Sequence, residues 1–108
     1  MRDIIMRRVV VTGIGIVSSI GNSKDQVLDS LKKGASGIDY REDFEEMGLK
    51  SRVAGSIKLD LKEHVDRKLK RFMSDGIAFN YLAMKEAVED SGLSEEQVTD
   101  IRTGLIMG

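Results

Sequence analysis

Cysteine is absent from this 108-residue chain, and histidine occurs once, at His64. Without a thiol these residues offer no disulfide, no thiolate metal site and no cysteine nucleophile. A lone histidine has no second ligand at metal-binding spacing and no nucleophile to activate, so His64 reads as a surface residue. Long apolar runs are also missing. None approaches the length of a membrane span, and the N-terminus lacks the apolar block of a signal peptide, so no membrane partner is expected and the setting is expected to be cytoplasmic. Charge of one sign is missing overall: 17 Lys and Arg stand against 18 Asp and Glu, a net charge of −1. Such a balance gives no global field for nucleic acid or an anionic surface, and no nucleic-acid partner is expected.

What is present is ordinary in amount and uneven in distribution. The chain is 41% apolar and 32% charged, which fits one soluble domain with a modest core. Residues 58–71 carry six Lys or Arg against three acids, whereas residues 86–100 carry six acids and no base.

Arg8–Thr12 is a β-branched run without polar alternation, which predicts a strand buried on both faces. Gly13 and Gly15 give the backbone freedom at its end. Ser23 with Gln26 is a capping-box signature, and Val27, Leu28 and Leu31 share one face, predicting a helix over 24–33 that stops at Gly34. Residues 35–47 read as loop with a helical turn, and 51–57 as a short strand. Ser74-Asp75 opens a helix whose apolar positions (Ile77, Ala78, Tyr81, Leu82, Met84, Val88) recur at helical spacing, widened by Phe79, Ala83 and Ala87. Apolar on most sides, it is expected to lie between layers and to stop at Ser91-Gly92. Ser94 and Gln97 form a second capping box, and Arg102–Met107 reads as another strand. That strand leads at once into Gly108, which suggests a segment of a longer α/β protein.

Three features are candidates for chemistry. The first is the turn Gly13-Ile14-Gly15-Ile16-Val17-Ser18. A dinucleotide cradle needs a third glycine where Ser18 stands, so that a helix N-terminus can approach the pyrophosphate. The short-chain dehydrogenase and phosphate-loop patterns fail as well, which favours a structural turn. The second is the basic stretch Asp66–Arg71. If it forms a helical turn, Arg67, Lys68 and Arg71 share one side. They then make either a solvated charged face or a patch that steers an acidic partner. No aromatics are interleaved, which argues against a single-stranded nucleic-acid platform. The third is His64, already read as surface.

Taken in order, several segments resemble one family. Val11–Asn22, Gly34–Ile38, Asp66-Arg67-Lys68, Arg71–Asp75, Ala87–Leu93 and Thr103–Gly108 are similar in sequence and spacing to the N-terminal part of the elongating β-ketoacyl-acyl-carrier-protein synthases. Ser18–Asn22 and Arg71–Asp75 look most like the synthase I subtype. The resemblance covers nearly everything from Met6 onward, with Met1–Ile5 as extra N-terminal residues and 6–108 as a segment of the first thiolase-like half.

The resemblance implies an α/β fold of thiolase type, a layered α-β-α-β-α body that is incomplete in this chain, and a homodimeric acyltransferase without a cofactor. Its activity would be the decarboxylating Claisen condensation of acyl and malonyl groups on acyl carrier protein, in fatty-acid synthesis. The family's chemistry uses a cysteine thiolate and two histidines that lie downstream of the position matching Gly108. His64 matches neither histidine, so no catalytic residue is expected in this chain and the segment alone is expected to be inactive. By position, Arg67, Lys68 and Arg71 match the family's contacts to the acidic carrier protein. A non-catalytic carrier-protein-binding or scaffolding fragment is the competing reading, and a nicotinamide-nucleotide module is the third.

Overall fold

Local sequence rules set most of the helices. The computed structural model describes residues 6–108, so that the extra residues Met1–Ile5 lie outside the described residues. The order is α1 (Lys24–Lys33), β1 (Ile38–Tyr40), α2 (Glu42–Glu46), β2 (Val53–Gly55), α3 (Leu61–His64), α4 (Arg67–Lys70), α5 (Asp75–Ser91) and α6 (Glu95–Thr99). Ser23 caps α1 by accepting the Gln26 N–H at 3.3 Å, while the Gln26 side chain accepts the Asn22 N–H at 2.9 Å. Gly34 ends that helix in the left-handed region at φ 64°, a conformation that disfavours any residue with a Cβ. Ser74 caps α5, Gly92 stops it, and Ser94 with Gln97 closes a full capping box on α6.

Two of the expected strands do not form. Arg8–Thr12 and Arg102–Met107 carry no ladder, and both lie exposed: Val9 is 93% accessible, Val11 82% and Ile106 97%. A strand exists only through a partner, and these runs do not pair: Thr12 with Gly13, and Thr103 with Gly104 and Leu105, line an open groove along α5 instead. The sheet that does form is β1 with β2, antiparallel, pairing Ile38 with Gly55, Asp39 with Ala54 and Tyr40 with Val53. It falls partly in the segment read as loop.

Only Val27, Leu61, Val65 and Ala78 are buried apolar side chains among the described residues. Leu61, Val65 and Ala78 form one cluster with Leu59, Met73, Phe79 and Leu82 packed around it, which joins α3 to α5. Helix α5 is therefore covered on part of its circumference rather than enclosed between layers. The radius of gyration is 18.5 Å, against about 13 Å for a compact domain of this length. The architecture is a set of helices with one small sheet, consistent with part of a thiolase-like domain.

The opening turn is held by α5. A Cβ built on Gly13 would meet the Ala87 carbonyl oxygen at 2.2 Å, and one built on Gly15 would meet that of Ala83 at 1.7 Å. The two glycines thus serve close backbone-to-helix packing. Two carboxylates one turn apart on α5 then bind the segment. Glu86 accepts the Ile16 N–H at 2.9 Å and the Lys24 N–H at 2.8 Å. Asp90 accepts the Ile14 N–H at 3.0 Å and pairs with the Lys24 ammonium.

Removing Glu86 strands two backbone donors in a half-buried place, so Glu86→Ala is expected to cost about 2 kcal/mol locally. Hydrogen exchange of the Ile16 and Lys24 amides in the full-length protein should then accelerate roughly 30-fold. Glu86→Gln, which keeps one acceptor oxygen, should show the smaller effect. Asp90 adds an acid-sensitive component. The Lys24 ammonium, and after it the Ile14 N–H, hold its carboxyl below the usual carboxylate range. A depressed pKa contributes stability above the unfolded value of about 4 and loses it as pH falls through the lower folded value. The Ile14 amide should therefore lose protection on acidification below about pH 4, and in Asp90→Asn that acid dependence should be absent.

Candidate functional site

The basic stretch sits on a corner between two short helices. Asp60 starts α3 by accepting the Lys62 N–H at 2.9 Å, and Asp66 starts α4 by accepting the Lys68 N–H at 2.8 Å and the Leu69 N–H at 3.4 Å. Between the two short helices Val65 is extended, at φ −122° and ψ 131°, which breaks one continuous helix into two. Its side chain is only 4% accessible, and with Leu61 it ties the corner to Ala78 of α5. The inward anchors are thus Leu61 and Val65, both ahead of α4, and the polar side chains of the two helices face water except Lys70, which is half-buried.

Arg67, Lys68 and Arg71 are all exposed, and among the described residues none of them makes an ion pair. Arg67 and Arg71 stand one turn apart, and both line a cleft of about 500 Å³ together with Lys62, Val65 and Lys70. Lys68 is not among its lining residues, so the structure brings together two of the three residues expected from sequence and sets the third beside them. Lys70 faces the cleft but is tied back, donating to the Asp75 carboxylate at 2.8 Å and to the Met73 carbonyl at 3.3 Å. Lys62 is the residue that sequence reasoning missed. It is exposed and makes no ion pair among the described residues. Its signal was present in the charge excess of residues 58–71, but only the break at Val65 turns α3 so that Lys62 shares the cleft with Arg67 and Arg71.

The other two candidates resolve into structural roles. Ser18, standing in place of a third glycine, closes its own turn. Its N–H donates to the Gly21 carbonyl at 2.8 Å, its hydroxyl donates to the same carbonyl at 3.2 Å, and the Ile20 N–H donates to its Oγ at 3.3 Å. The next helix begins only at Lys24, and the Lys24 N–H is already occupied by the Glu86 carboxylate. The position a pyrophosphate would need is filled by a protein anion, which weighs against a nicotinamide-nucleotide site. His64 is exposed, and its Nδ1 lies 3.0 Å from the Asp60 carbonyl, so Nδ1–H donates within its own short helix.

A family model described as the N-terminal domain of β-ketoacyl synthase matches residues 6–108. The chain is 58% identical to a 3-oxoacyl-[acyl-carrier-protein] synthase 1 of Haemophilus influenzae over 103 residues, covering 95% of this chain and 25% of that protein. It is 47% identical over 104 residues to the synthase 1 of Escherichia coli K12, covering 95% of this chain and 26% of the relative. A 3-oxoacyl-[acyl-carrier-protein] synthase 2 of Vibrio cholerae is 36% identical over 103 residues, or 94% and 25%. The chain spans about a quarter of the length of the curated relatives it matches. The ordering of these identities agrees with the resemblance to synthase I drawn from Ser18–Asn22 and Arg71–Asp75.

Proposed function

This chain belongs to the β-ketoacyl synthase family, matching its N-terminal domain, and we propose that the protein it forms part of elongates fatty acids by decarboxylating Claisen condensation of acyl and malonyl groups carried on acyl carrier protein. In that reaction an enzyme thiolate takes the acyl group from one carrier thioester, releasing the carrier thiol. Loss of CO2 from the malonyl group then supplies the carbanion that displaces the thiolate and forms the new carbon–carbon bond. The thiolate and the two histidines of this chemistry belong to other parts of the protein, since this chain holds no cysteine and its one histidine is engaged with its own helix. The 6–108 segment is therefore inactive by itself, a part of the first thiolase-like half in a cytoplasmic homodimer. No cofactor enters the proposed reaction. No helix among the described residues is long and apolar enough to cross a membrane.

What this chain supplies is carrier-protein docking through Arg67, Lys68 and Arg71. One observation carries that assignment: three exposed cations, without an ion pair among the described residues, stand on and beside a helix whose start is fixed by the Asp66 cap. Cations already paired within the chain would have to break those contacts to bind a partner; these three do not. The full-length protein, given acyl and malonyl carrier protein, should form the 3-oxoacyl product and CO2 in equal amounts. Carrier binding without product would leave the scaffolding reading, and saturable NADPH binding by the opening turn would contradict both.

A further inference from the structure

The α3–α4 corner is more than a row of positive charge. Lys62, Val65, Arg67, Lys70 and Arg71 line its cleft, and since Val65 is only 4% accessible, the surface a partner meets is made by the long cationic side chains. Lys70 contributes its stem but not its charge, which is spent on Asp75. Lys62 stands on α3, across the break at Val65 from Arg67 on α4 and Arg71 at its C-terminal end.

We propose that Lys62 is a docking residue, and that the cleft takes an acidic helix of the carrier protein whose carboxylates meet Lys62 as well as Arg67 and Arg71. This rests on the carrier-protein reading of Arg67, Lys68 and Arg71 and adds both a residue and a geometry to it. Charge complementarity selects the partner. Cations from two short helices around one cleft match a helix face that presents acids one turn apart. The Lys62 backbone is fixed by the Asp60 cap, so its side chain starts from a defined position and less freedom is lost on binding.

The test uses the full-length protein and an acidic acyl carrier protein, with affinity measured by calorimetry at low and at high salt. Lys50 lies outside the cleft, is exposed and makes no ion pair among the described residues, so Lys50→Glu controls for the same change in net charge. Lys62→Glu should weaken binding about 5- to 10-fold at low salt, Lys50→Glu less than about 2-fold, and Lys62→Arg should bind as the parent does. At high salt the Lys62→Glu loss should shrink towards that of the control. If Lys62→Glu matches Lys50→Glu while Arg67→Glu still weakens binding, the cleft geometry is wrong and the carrier-protein reading stands. If neither Lys62→Glu nor Arg67→Glu changes the affinity, that reading fails and this proposal with it.

Discussion

Replacing Gly15 by alanine is expected to abolish the native seating of the opening turn and cost about 3 kcal/mol or more. The added Cβ would sit 1.7 Å from the Ala83 carbonyl oxygen and 2.7 Å from the Ala87 nitrogen, both backbone atoms of α5. A flexible side chain could rotate away from such a clash; a hydrogen-bonded helical backbone cannot. The turn must therefore lift, and with it go the bonds from the Ile14 and Ile16 N–H groups to Asp90 and Glu86. Gly76→Ala is the internal contrast. Gly76 lies in the first turn of α5, and a methyl group there would have nothing within 4 Å, so alanine should stabilise by about 0.5–1 kcal/mol through helix propensity. In the full-length protein, Gly15→Ala should show a sharply lower melting temperature or soluble yield, and Gly76→Ala an unchanged or higher one. A Gly15→Ala protein that melts with its parent would mean that the turn does not pack on α5 in this way.

The same two glycines show where sequence reading stops. Gly13 and Gly15 first suggest a phosphate cradle because the local pattern resembles one. Their actual constraint is a helix about 70 residues further along, which no local pattern can reveal. The helices were legible because their determinants are local: Ser23 with Gln26, Ser74, Ser94 with Gln97, and the stops at Gly34 and Gly92 all act within a turn or two. Of the strands only 51–57 was legible, where Val53–Gly55 forms, because a strand's stability lies in its partner. Arg8–Thr12 has the right composition and no ladder, whereas Ile38–Tyr40, in a stretch read as loop, forms one because Val53–Gly55 runs beside it. Helix α2 is the helical turn expected within residues 35–47, but its bounds were not legible because Glu42–Glu46 is a single acidic turn with no apolar repeat to mark it. At the basic corner, the sequence carried the charges and their helical spacing, hence Arg67, Lys68 and Arg71. It did not show that Val65 would break the helix and bring Lys62 around to the same cleft.

Reversing Arg67, Lys68 and Arg71 together to glutamate is expected to weaken association of the full-length protein with acyl carrier protein about 100-fold at low ionic strength. Each substitution replaces an attraction with a repulsion at the partner's acidic face, and the three are close enough to act on one surface. Among the described residues none of them caps a helix by its side chain, joins an ion pair or fills the core, so folding should be little changed. The loss should fall mainly on the association rate. It should also fade with salt, since the screening length contracts from about 10 Å at 0.1 M to about 3 Å at 1 M. A loss that persists unchanged at 1 M salt would point to misfolding in place of lost steering.

Steady-state condensation by the full-length protein tests most directly whether this segment docks the carrier protein for a condensing enzyme. With carrier-bound substrates at low salt, the Arg67→Glu, Lys68→Glu, Arg71→Glu protein should form 3-oxoacyl product with KM raised at least about 10-fold and kcat held within about 2-fold of the parent, because docking is impaired and the reacting groups are untouched. An unchanged KM, or no 3-oxoacyl product from the parent protein itself, would contradict that role.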